Sequence, residues 1–179
     1  MDKKNIDKFN KLKLKYFKIL SDLGIKNMKL NLELTASRLN YDDIDGLKSF
    51  IWTKFNSIVK ENINDNYKLQ NIYFEMEQFL KTEQKEKDAT YIRELFFQAK
   101  LKAGKESLNG IIMDVVLIAK NKPNVCEVCK KDNGKKYSID KALKSHILPH
   151  KKCKCDNGCI CTLGFVAKRD NQGKLIFVD

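Results

Sequence analysis

All six cysteines of this 179-residue chain lie between residues 126 and 161, and none occurs in the first 125. Cys126-Glu-Val-Cys129 is a CxxC knuckle, followed by His150-Lys-Lys-Cys153-Lys-Cys155 and then Cys159-Ile-Cys161. Zinc requires four soft or borderline ligands at tetrahedral corners, and a two-residue gap lets two sulfurs of one tight turn face a single ion at about 2.3 Å. Two such half-sites about twenty residues apart are the usual layout of a structural zinc module. Cys126 and Cys129 form the first pair, and the second comes from His150, Cys153, Cys155, Cys159 and Cys161. Cys153 belongs to most sensible combinations. With Cys159 or Cys161 it closes a four-sulfur site around the Asp156-Asn157-Gly158 turn, and with His150 it gives three sulfurs and one nitrogen. Cysteines left over are reduced spares or part of a second ion site. An ion saturated by four side chains has no open position for water, so the module reads as structural rather than catalytic.

Other chemistries fit the same residues less well. A disulfide framework belongs to secreted chains, and Met1-Asp2-Lys3-Lys4 leads into a Lys-rich helix rather than the apolar stretch of a signal peptide. A cytoplasmic chain without a membrane span is the expectation. The CxxC does not follow a strand in a βαβ setting, which disfavours a redox centre. Ser145-His146-Ile147-Leu148-Pro149 has a faint look of the histidine stretch of HNH nucleases. That chemistry needs further His or Asn ligands, and the chain has two histidines in all. His146 reads as a surface or packing histidine. Glu75 with Glu77, and Asp42 with Asp43, read as solvated faces or helix caps, and no phosphate loop, nucleophile elbow or HExxH helix is present. The expectation is a protein without enzymatic activity.

The elements that carry these residues follow from the apolar periodicity. Phe9, Leu12, Tyr16, Ile19 and Leu23 recur at three- and four-residue steps, the stripe of an amphipathic helix that Gly24 stops. Residues 28–39 have an ambiguous period. Asp42 or Asp43 caps a helix reaching about Asn62, and another runs from about Asp65 to Thr82. A further helix spans about Ala89 to Ala103, where Gly104 and Asn109-Gly110 interrupt it. Ile111 to Ala119 is apolar on nearly all sides and reads as the most buried piece of the chain, within a helical pattern that extends to about Lys120. Pro123 then ends helical propagation. Cys161–Ala167 and Lys174–Val178 alternate around Asp170-Asn-Gln-Gly173, the pattern of a terminal β-hairpin. The fold class expected is mainly α: an antiparallel helical domain over 1–121, then a cysteine-rich zinc-binding module with a β-hairpin over 122–179.

The formal charge is +12, and the excess sits at the two ends. Residues 1–20 hold seven Lys against two Asp, and residues 122–179 hold 13 Lys or Arg against six acids. Basic ends suit contact with a polyanion such as DNA. Only Arg38, Arg93 and Arg169 are arginines, so bidentate reading of guanine is disfavoured.

The run Cys126-Glu-Val-Cys129-Lys-Lys-Asp132-Asn-Gly134-Lys135-Lys-Tyr137, followed by Leu148-Pro149-His150-Lys-Lys-Cys153-Lys-Cys155, resembles the C-terminal cysteine motif of the head-morphogenesis (minor head, Mu F-like) proteins of tailed bacteriophages. The likeness covers about 30 to 55 residues and none of the first 85, and Lys154 stands where the family motif has Arg. Carried across, Cys126, Cys129, His150 and Cys153 occupy the motif positions, with Cys155 as alternate. The resemblance implies a non-enzymatic, low-copy virion or prohead component that works with portal or capsid proteins in assembly or DNA delivery. A small zinc-containing nucleic-acid-binding or regulatory protein, contacting phosphates through its Lys-rich ends, is the competing reading.

Overall fold

A computed structural model describes residues 3–107, 110–119, 125–155 and 158–177. The readings made on Met1 and Asp2, Asn109, residues 120–124, Asp156 and Asn157, and Val178 lie outside these residues. The fold is mainly helical, with seven helices and one small three-stranded antiparallel sheet among the described residues. None of the described helices is long and apolar enough to cross a membrane.

The chain forms two compact units, residues 1–64 and 65–179. The first holds α1 (Lys3–Asp22), α2 (Asn27–Ala36) and α3 (Ile44–Glu61). Phe9, Tyr16, Phe17 and Leu20 of α1 are buried, as are Leu30 and Leu34 of α2 and Leu47, Ile51, Phe55 and Ile58 of α3. The ambiguous second segment is therefore a helix, whose buried leucines stand four residues apart. Tyr16 meets Phe55 edge-on with ring centroids 6.5 Å apart, a favourable aromatic geometry. Asp43 caps α3 by accepting the Gly46 N–H at 2.8 Å.

In the second unit α4 (Asn66–Thr82) packs along α5 (Glu86–Glu106). Asp65 caps α4 through the Lys68 N–H at 3.0 Å, and this bond holds its carboxyl below the ordinary range. The sheet has the order β2-β1-β3, built from β1 (Met113–Ile118), β2 (Lys136–Ser138) and β3 (Thr162–Ala167). Central β1 pairs antiparallel with β2 (Val115 opposite Tyr137) and with β3 (Val115 opposite Phe165, Leu117 opposite Leu163). Two short helices, α6 (Glu127–Asp132) and α7 (Ile139–Ser145), complete the unit.

Three expectations need correction. Ile111 to Ala119 is not a helical piece but contains the central strand, because Val115 and Leu117 alternate inward while both strand edges find partners. Gly104 does not interrupt α5, which continues through it to Glu106. A Cβ at Gly104 would lie 2.3 Å from the ring of Phe165, so the glycine is the recess into which β3 presses its aromatic side chain. The units divide at Asn64/Asp65 rather than at 121/122, since Phe97 and Leu101 of α5 share one core with Val115, Leu117, Cys129 and Leu163. The terminal reversal at Asp170–Gly173 is present, closed by the Asp170 N–H on the Lys174 carbonyl at 2.9 Å and by bridging of Arg169 with Leu175. Strand β3 itself takes β1 as partner, and residues 174–177 reach back to Ile111 and Ile112.

Candidate metal centre

The CxxC knuckle straddles a helix start. Cys126 is the extended residue immediately before α6 and Cys129 lies in its first turn. The second set of donors arrives on the connection between α7 and β3, where Leu148 is buried in the core beside Cys129. A turn in which the Cys153 N–H reaches the His150 carbonyl at 3.0 Å then folds His150 and Cys153 together. Another, with the Gly158 N–H on the Cys155 carbonyl at 2.9 Å, turns the chain toward Cys159 and Cys161.

All seven residues singled out by spacing meet in one knot, as two groups of four. Cys126, Cys129, Cys153 and Cys155 form one, and Cys129, His150, Cys159 and Cys161 the other. Within each group every donor atom lies within 4.8 Å of the others, and Cys129 belongs to both. The Cys126 and Cys153 sulfurs are 3.8 Å apart, and those of Cys129 and Cys153 3.6 Å. His150 Nδ1 stands 3.4 Å from the Cys129 sulfur, 3.7 Å from Cys159 and 3.9 Å from Cys161. A tetrahedral zinc with Zn–S near 2.3 Å and Zn–N near 2.0 Å separates its sulfurs by about 3.8 Å, and nitrogen from sulfur by about 3.6 Å. Each group of four could therefore hold a metal ion.

The surroundings suit thiolates. The Lys154 N–H points at the Cys126 sulfur, the Cys126 N–H at Cys155 and the Cys155 N–H at Cys153, each at 3.4 Å. The N–H groups of Lys154 and Cys129 bring the Cys126 thiol down to about 6, so it ionises near neutral pH. Burial works the other way on its neighbours, pushing Cys153 up to about 12 and Cys161 up to about 11, and raising Cys129 as well. Several thiols packed together in the interior cannot all ionise without a cation among them. A bound ion would supply that cation and displace their protons. Burial also lowers the pKa of His150, keeping the imidazole neutral as a ligand requires. Its other nitrogen, Nε2, faces the Asp132 carboxylate at 3.3 Å. A carboxylate behind the histidine fixes ring orientation and tautomer at metal sites.

Two positions escaped the sequence reading. Asp132 lies one helical turn beyond Cys129 on α6, a spacing that puts both on one face and would have marked it as a partner for a ligand. Arg93 of α5 carried no local signal. It forms an ion pair with Glu77 at 2.9 Å and donates to the Cys159 carbonyl, tying the α4–α5 pair to the cysteine knot. Glu77, read as part of a solvated face, is buried at 2% exposure, and Lys81 also pairs with it at 2.7 Å. His146 stands apart from both groups and pairs with Glu94. No family model, curated protein or solved structure matches the chain.

Proposed function

We propose that this chain is a non-enzymatic minor head protein of a phage or prophage, folded at its C-terminal end by structural zinc and acting in capsid assembly or DNA delivery. One observation carries the reading. Cys126, Cys129, His150 and Cys153, which occupy the positions of the head-morphogenesis motif that the sequence resembles, converge with the alternate Cys155 in a single sulfur-rich knot. Zinc is the ion whose tetrahedral preference and thiolate affinity best suit such donors. Donor groups of four saturate a tetrahedral ion, which favours a role in holding the fold over a role in catalysis. The test is to induce particle formation in the strain that carries the gene and examine purified proheads by quantitative mass spectrometry. The chain is expected in a few copies per particle, and deletion of its gene is expected to reduce filled heads. Normal particles that lack it would overturn the reading.

The regulatory or nucleic-acid-binding alternative draws on α1, where Lys3, Lys4, Lys8, Lys11, Lys15 and Lys18 are exposed along one helix. Such a face would bind DNA without sequence preference, and affinity would fall steeply with salt. Micromolar, sharply salt-dependent DNA binding by a chain absent from particles would favour that alternative.

A further inference from the structure

The sharing of Cys129 has a consequence for stoichiometry. Two tetrahedral ions have eight coordination positions, and the knot offers seven side chains. A thiolate, unlike an imidazole nitrogen bonded through a single lone pair, can bridge two ions. One bridging sulfur makes seven side chains sufficient for eight positions. We propose that the knot holds two zinc ions, with the Cys129 thiolate bridging them. This rests on the metal-knuckle reading of the same side chains and deepens it.

The first ion takes Cys126, Cys153 and Cys155 with Cys129, and the second takes His150, Cys159 and Cys161 with Cys129. The geometry places Cys129 where a bridge must be. Its side chain is fully buried in the middle of the knot, 3.6 Å from the Cys153 sulfur on one side and 3.4 Å from His150 Nδ1 on the other. On one side Cys126 lies near Cys153, and on the other Cys159 and Cys161 lie near His150. A single ion in the first group would leave His150, Cys159 and Cys161 as three converging donors without an ion, although both cysteines are buried at 4% and 5% exposure. A single ion in the second would strand Cys126, Cys153 and Cys155 in the same way. Two ions engage every donor, and their combined charge of +4 offsets most of the six thiolates.

The experiment is native mass spectrometry of the intact chain purified with zinc, joined to NMR of the same chain loaded with ¹¹³Cd. Two ions per chain are expected, with two cadmium resonances, both correlated to the Cys129 β-protons. Cys155→Ala and Cys161→Ala, each in one group and not shared with the other, are expected to reduce the count from two to one and to erase different resonances. One ion per chain with a single resonance would overturn the bridge while leaving a structural metal in place. A chain that binds none would overturn the metal reading itself. Two resonances that share no correlation to Cys129 would also contradict the proposal.

Discussion

Residues 3–61 and residues 125–161 solve the same problem with different materials. In the first region, three helices bury aromatic and aliphatic stripes, and Phe9, Tyr16, Leu20, Leu30, Leu47, Ile51 and Phe55 are almost wholly removed from water. Each such side chain contributes about 1.5–3 kcal/mol of transfer free energy. The second region has two short helices, a three-residue strand and a core in which Cys129, Cys159 and Cys161 stand where leucines would otherwise be. Thiols packed against each other resist ionising together, and a cation bound among them would relieve that and tie the region together. Where a sequence lacks enough apolar area for a local core, chelation can replace it. The two regions should therefore respond oppositely to metal and to cavity-forming substitutions.

The largest expected effect comes from removing the knuckle. Replacing Cys126 and Cys129 together by Ser removes half of the first group and the shared sulfur. Zinc binding to such knuckles is worth more than ~10 kcal/mol, beyond the stability of an ordinary small domain. Residues 125–161 should lose their dispersed NMR signals while those of α1–α3 persist. Retention of signals in both regions would erase the contrast. The converse substitution is Phe55→Ala. It opens a cavity beside Tyr16 and should cost about 4 kcal/mol, seen as early melting of α1–α3 in urea, with the zinc content of the folded chain unaltered.

Two smaller changes sharpen the picture on the side of the knot. Arg93→Met leaves the Glu77 carboxylate buried with Lys81 as its remaining ion partner, and removes the donor to the Cys159 carbonyl. A loss of about 1–3 kcal/mol is expected by equilibrium unfolding, because Glu77 keeps only one of its two cationic partners and the Cys159 carbonyl loses its donor. The double change with Glu77→Met should recover part of it, and a neutral single variant would show that the link carries no energy. Gly104→Ala is the mildest. Helix propensity alone would favour it by about 1 kcal/mol, yet its methyl group meets the Phe165 ring, and overpacking of that kind costs about 1–3 kcal/mol. A net destabilisation of about 1 kcal/mol is expected, relieved by Phe165→Leu. A stabilised variant would mean that the ring moves aside freely.

The same contrast governs how much could be read from sequence. In residues 3–61 the stripes of α1 and α3, the stop at Gly24 and a cap at Asp42 or Asp43 are local and legible from periodicity and cap chemistry, whereas the period of α2 was ambiguous. In the second unit the decisive contacts are not local. An apolar run such as Ile111–Ala119 looks alike as a buried helix or a central strand, and only its β-branched Ile111, Ile112, Val115, Val116 and Ile118 lean toward the latter. Gly104 looked like a break because nothing nearby in sequence announces Phe165, and the boundary placed near Pro123 missed that α5 supplies Phe97 and Leu101 to the core of the cysteine-rich part. That the cysteines and His150 gather in one place was legible, since cysteine spacing is a strong signal. Their sorting into two groups around Cys129 was not, because it depends on how two separate turns fold over one short helix.

The central claim is that metal completes the fold of residues 125–161. Hydrogen exchange on the native chain before and after treatment with a strong zinc chelator tests it most directly. The account predicts that amides of α6, of α7 and of the turns around Cys153 and Cys155 lose protection by orders of magnitude on chelation, while those in the middle of α1 and α3 keep theirs. Unchanged protection across residues 125–161 in a chain verified to be metal-free would contradict it.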